Sequence, residues 1–131
     1  MNGRALIYGT IAIDTLITPG GQVNSVMGGS GPYAALAARL VTDKVDMVGV
    51  VGDDFPAAWE KALELRGVSM EHVAHEPGQT FAWTGQYEAD MNKRTTVSRT
   101  DNNGNLALQA EQILRMLHAK IILSIVYTKS V

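Results

Sequence analysis

The chain has 131 residues, 46% hydrophobic and 18% charged, which is enough for one soluble domain with a modest core and too apolar for a disordered segment. A net charge of −2 without any basic stripe excludes a nucleic-acid-binding face, and the lack of cysteine excludes disulfides, thiolate metal sites and cysteine nucleophiles. The start, Met1-Asn2-Gly3-Arg4, carries neither the apolar core nor the small-residue cleavage site of a signal peptide, and the apolar runs fall short of the ~20 residues of a membrane span. The expected location is the cytoplasm, with no membrane partner.

In chain order, Ala5 to Ile13 reads as one buried strand with Gly9 inside it, closed by Asp14. Thr18-Pro19-Gly20-Gly21 is a turn between two short polar strands, 15–18 and 22–27. Gly28-Gly29-Ser30-Gly31-Pro32 then opens an alanine-rich helix from Tyr33 to Val41, apolar almost all round and so expected to be buried. Val45 to Val51 is a second buried strand, ended by Gly52-Asp53-Asp54. A helix over 55–66 follows, with Asp54 as its expected N-cap and Gly67 as its stop. From Thr80 to Glu88 the period becomes two, with Phe81, Trp83 and Tyr87 on one face; 94–99 alternates again after a connection at Asp90–Lys93. A loop at 101–104, a helix over 107–118 and a last buried strand over 120–127 complete the chain. This order predicts an α/β fold: a Rossmann-like parallel sheet with helices, plus a small β-sheet lid built from segments of about 15–27 and 72–100.

Several groups offer chemistry. Asp14 would stand where open α/β sheets hold ligands, and a carboxylate there can accept two hydroxyl hydrogen bonds; the alternative is a loop-start aspartate bonding nearby backbone. The glycine loop at 28–31 allows close backbone approach at a helix N-terminus. It lacks the Gly-Lys-Ser/Thr ending of a Walker loop. Gly29 to Ala34 matches the dinucleotide pattern G-x-G-x-x-A but does not follow the first strand directly, so a dinucleotide-binding domain stays as an alternative. Gly52-Asp53 resembles a catalytic turn, although capping by Asp54 accounts for it. The aromatic row suits either stacking on a ligand or packing against a neighbour. His72 and His75 would point to opposite faces of a strand, which does not make a metal site.

Taken together, Gly9-Thr-Ile-Ala-Ile-Asp14, Gly28-Gly29-Ser30-Gly31 leading through Ala38-Arg39-Leu40, Val48 to Phe55, and Arg66-Gly67-Val68 resemble the N-terminal portion of the PfkB (ribokinase-like) carbohydrate kinases. The resemblance implies a ribokinase-like fold and ATP-dependent phosphorylation of a sugar or nucleoside hydroxyl, with Mg2+. It implies that Asp14 binds substrate hydroxyls, that Gly28, Gly29, Ser30 and Tyr33 line the acceptor site, and that Trp83 and Tyr87 cover it. Ala12 and Tyr33 stand where the family pattern has asparagines that hold ribose-like hydroxyls, so the sugar is not specified. The family's catalytic aspartate lies in a Gly-Ala-Gly-Asp turn of its C-terminal half, and these 131 residues contain no such turn. The expectation is a truncated kinase domain holding the acceptor side, without catalytic, ATP-binding or metal residues and inactive alone. A stand-alone carbohydrate-binding or regulatory module is the alternative. A homodimer through the lid or an exposed edge strand is a further expectation.

Overall fold

A computed structural model describes residues 3–100 and the strand at 123–128. The strands β1 (Arg4–Gly9), β4 (Lys44–Val51), β5 (Val68–His75) and β8 (Leu123–Thr128) form a parallel sheet in the order β5-β4-β1-β8. The strands β2 (Ala12–Thr18), β3 (Gly21–Gly28), β6 (Ala82–Tyr87) and β7 (Arg94–Thr100) form a second sheet in the order β3-β2-β6-β7. Two helices, α1 (Ser30–Ala38) and α2 (Ala57–Leu65), pack on the parallel sheet, α1 against β1 and β4 and α2 against β5. The expected loop at 101–104, the helix over 107–118 and His118 lie outside the described residues.

Strand β4 is a near-continuous apolar run because both of its faces are covered. In β4 every residue after Lys44 is buried. The core gathers Ile7, Ile11, Met47, Val51, Leu63 and Val68 between the sheet and its helices. Asp46 is the buried charge of this layer, and Arg4 from the neighbouring strand binds it with two nitrogens, Nη2 reaching Oδ1 at 2.9 Å.

Four expectations need correction. Ala5–Ile13 is not one strand: the chain leaves the parallel sheet after Gly9, crosses at Thr10-Ile11, and enters the second sheet at Ala12. The crossing is anchored by fully buried Ile11, for which Gly49 leaves room above β4, and by Thr10, whose carbonyl accepts the Gly31 N–H at 3.0 Å. Asp14 therefore lies within β2, not at the end of β1. Residues 72–75 belong to β5 of the parallel sheet, so of the second expected lid segment only 82–100 is in the second sheet. Asp54 does not cap α2: Pro56 holds the N-cap position without a side-chain bond, and Asp54 Oδ1 instead accepts the Thr80 N–H at 2.7 Å. Helix α1, expected to be buried all round, buries Gly31, Pro32 and Ala35 and leaves Tyr33 exposed.

The turns match their sequence signals. Thr18 Oγ1 accepts the Gly20 N–H, and Asp90 Oδ1 accepts the N–H groups of Asn92 and Lys93 in the β6–β7 connection.

Candidate active site

The cavity lies where β1 gives way to the second sheet. Strand β1 has β4 on one side and β8 on the other, so the winding of the sheet diverges there, and the carboxyl edge of such a strand is where open α/β sheets receive ligands. The second sheet rises from this edge and forms the wall of a cavity of about 450 Å³.

The register of the second sheet sets which side chains enter the cavity. Asp14 pairs with Val26 on one side and Trp83 on the other, and Trp83 pairs with Arg99. The next row is Leu16, Gly85 and Thr96, and Tyr87 then faces Arg94. A bulge opposite Thr84–Gly85 inserts Val97, so Arg94, Thr96 and Arg99 share one face although their spacing breaks period two. All seven residues expected from the sequence, Asp14, Gly28, Gly29, Ser30, Tyr33, Trp83 and Tyr87, line this one cavity. Arg94, Thr96 and Arg99 join them unforeseen, because in a strand that is polar apart from Val97 only the bulge reveals which side chains turn inward.

Asp14 is the chemical centre. Its Oδ1 is buried and has no hydrogen-bond partner. Burial pushes the carboxyl up from its ordinary range, and the Arg94 guanidinium partly opposes that rise. A buried acceptor without a partner is costly, by roughly 1–3 kcal/mol, unless a ligand supplies a donor. The neighbouring glycine leaves room for this carboxylate: a Cβ on Gly28 would overlap the Asp14 carboxylate unless that side chain turned aside. Gly29, at φ +84°, starts α1, and a Cβ there would overlap the Thr10 carbonyl. The double glycine thus seats both the carboxylate and the helix start.

The aromatic wall is held in place. A Cβ on Gly85 would overlap the Trp83 ring, so the indole lies across that glycine. Its Nε1 donates to Thr96 Oγ1 at 3.1 Å, and the Arg94 guanidinium sits 5.1 Å from the ring centroid. Arg99 stands 5.4 Å from the Phe81 ring in the same way. Tyr33 bridges from α1 to β3, its hydroxyl donating to the Met27 carbonyl at 2.8 Å. The G-x-G-x-x-A pattern at 29–34 opens a helix, but it follows β3 of the second sheet and not the first parallel strand. Away from the cavity, His75 Nε2 lies 2.6 Å from Glu60 Oε1, a surface contact.

No family model matches the chain. A curated relative, the cytidine kinase of Thermococcus kodakarensis, is 40% identical over 89 residues, covering 59% of this chain and 32% of its own. Among solved structures, the nucleoside kinase of Burkholderia thailandensis in complex with inosine matches 73% of this chain with a TM-score of 0.63 at 23% identity. The ribokinase of Cryptococcus neoformans in complex with ADP matches 82% with a TM-score of 0.60, also at 23% identity. The fold is the ribokinase-like one. As the resemblance led one to expect, the structural neighbours are kinases of the PfkB/ribokinase family. The chain spans about a third of the length of these ribokinase-like relatives, 32% of the cytidine kinase, 35% of the nucleoside kinase and 38% of the ribokinase. Among the described residues, no helix of this ribokinase-like chain is long and apolar enough to cross a membrane.

Proposed function

We propose that this chain holds the acceptor side of a nucleoside- or sugar-kinase site, with a nucleoside as the favoured acceptor. The observation that carries this reading is that Asp14, whose buried Oδ1 has no hydrogen-bond partner, lines a cavity walled by Trp83 and Tyr87. The carboxylate accepts hydrogen bonds from sugar hydroxyls, and the aromatic wall takes the base. The 40% identity to a cytidine kinase and the fold shared with an inosine-bound nucleoside kinase support the same class.

In the family, phosphoryl transfer uses ATP and Mg2+. The described residues do not fit that pair: the cavity brings one carboxylate beside two guanidiniums, and no group of three or more His, Asp or Glu side chains lies together among the described residues. Phosphoryl transfer needs a positioned nucleophile, metal and charge stabilisation together. The described residues therefore hold the acceptor and supply no metal site of their own, and turnover of ATP and cytidine that is unaffected by Asp14→Ala would refute this role.

Calorimetry with cytidine, inosine and ribose tests the binding. The loss of a charge-assisted hydrogen bond, about 1.5–3 kcal/mol, corresponds to an affinity about 10- to 100-fold weaker in Asp14→Ala. Absence of binding by the unaltered chain to any of the three overturns the reading. NAD binding that survives Asp14→Ala would favour a dinucleotide site instead. Self-association through an open strand edge belongs to the same proposal.

A further inference from the structure

Asp53 and Asp54 are not among the residues that line the cavity, yet their carboxylates meet the chain where it passes from the parallel sheet into the second one. Strand β5 ends at His75 and β6 begins at Ala82, and the crossing between them is gripped by the turn after β4. Asp53 and Gly78 exchange two hydrogen bonds, Asp53 N–H to the Gly78 carbonyl at 2.8 Å and Gly78 N–H to Asp53 Oδ2 at 3.0 Å. Asp54 Oδ1 accepts the Thr80 N–H at 2.7 Å. Fully buried Thr80 closes the set, its Oγ1 accepting the Gly52 N–H at 2.9 Å. The approach is tight enough that a Cβ on Gly52 would overlap the Gly78 carbonyl. The next residue is Phe81, whose carbonyl accepts the Ile13 N–H at 2.9 Å and whose ring lines the cavity.

Capping does not account for this pair, since α2 starts from Pro56 without a side-chain cap. Both aspartates are exposed, so their loss removes little buried surface. What they restrain is the entry of β6, the strand that carries Trp83 and pairs alongside Asp14. We propose that Asp53 and Asp54 are positioning residues: a carboxylate latch that fixes the height of the second sheet over the cavity and thereby its affinity for the acceptor. Its effect on affinity rests on the acceptor-site reading; its effect on the sheet does not.

The experiment is amide hydrogen exchange on the full chain, with calorimetry for cytidine alongside. In Asp54→Ala, exchange across 82–87 accelerates about tenfold, as for one lost charge-assisted bond, while the centres of β1 and β4 keep their rates. Asp54→Asn keeps an oxygen acceptor for Thr80 and restores the slow exchange. Cytidine affinity falls in Asp54→Ala and recovers in Asp54→Asn. Unchanged exchange in 82–87, or equal acceleration in β1 and β4, overturns the latch. So does faster exchange in 82–87 with unchanged cytidine affinity. If the unaltered chain binds no cytidine, the acceptor reading falls and the exchange pattern still decides the latch.

Discussion

The Asp14 carboxyl is held above its ordinary range by burial, so its charged form is the strained one. A group whose pKa is raised on folding contributes stability at low pH and loses it as the pH rises through the raised value. Asp14→Asn is therefore expected to be more stable than the unaltered chain at neutral pH, with the gain shrinking as the pH falls through the carboxylate range. Urea titrations at pH 7 and pH 4 measure this, and a pH-independent difference would contradict it. Acceptor affinity has the same dependence seen from the ligand: hydroxyl donors need the carboxylate, so binding weakens in acid. Buried Asp46 already has a partner in Arg4, and the bond to Asp46 raises the guanidinium above its usual range. Arg4→Ala strands a buried carboxylate, 2% exposed, and is expected to cost about 3 kcal/mol, read as a fall in the urea midpoint.

Among the elements, the two adjacent glycines before α1 make separable predictions. Gly29 sits at φ +84° against the Thr10 carbonyl, which is backbone and cannot swing away. Gly29→Ala is expected to destabilise by about 2 kcal/mol or more through left-handed strain and overlap. The atoms nearest a Cβ on Gly28 belong to the Asp14 side chain, which can turn aside. Gly28→Ala is expected to weaken cytidine binding about tenfold while costing less stability, because the displaced group is the binding carboxylate. Thermal melts and calorimetry on the pair distinguish the two roles, and equal profiles would show that the distinction is wrong. Much of this was legible beforehand. The apolar runs of β1 and β4, the one-sided apolar pattern of α2 and the turns at Thr18–Gly21 and Asp90–Lys93 follow from local pattern, and the family resemblance names Asp14, Gly28 and Trp83, which line the cavity. The crossing at Thr10-Ile11 was hidden because apolar residues continue through it, and only partners distant in sequence show that the run serves two sheets. The bulge at Val97 concealed Arg94 and Arg99 for the same reason, and the role of Asp54 depended on a chain segment that local pattern does not bring near.

For the molecule as a whole, both sheets end in open backbone among the described residues. Strand β8 is outermost in the parallel sheet, and β7 is exposed along its entire length at the edge of the second. Such edges favour pairing with another chain. Light scattering is expected to show concentration-dependent association. Val97→Lys, which places a charge on the exposed β7 edge, is expected to reduce it; a monomer at every concentration would count against the expectation.

The pairing of β2 with β6 also orders events during synthesis. Strands β2 and β3 are neighbours in sequence and can close as a hairpin as soon as both exist, but β6 must return to lie parallel to β2 after the whole of β4, α2 and β5 has been made. Closing so long a loop is slow compared with forming a hairpin. Until then Asp14 has its hairpin partner Val26 on one side and water on the other. A nascent chain therefore can close the β2–β3 hairpin before it has a cavity, and the acceptor cannot serve as a template for that step.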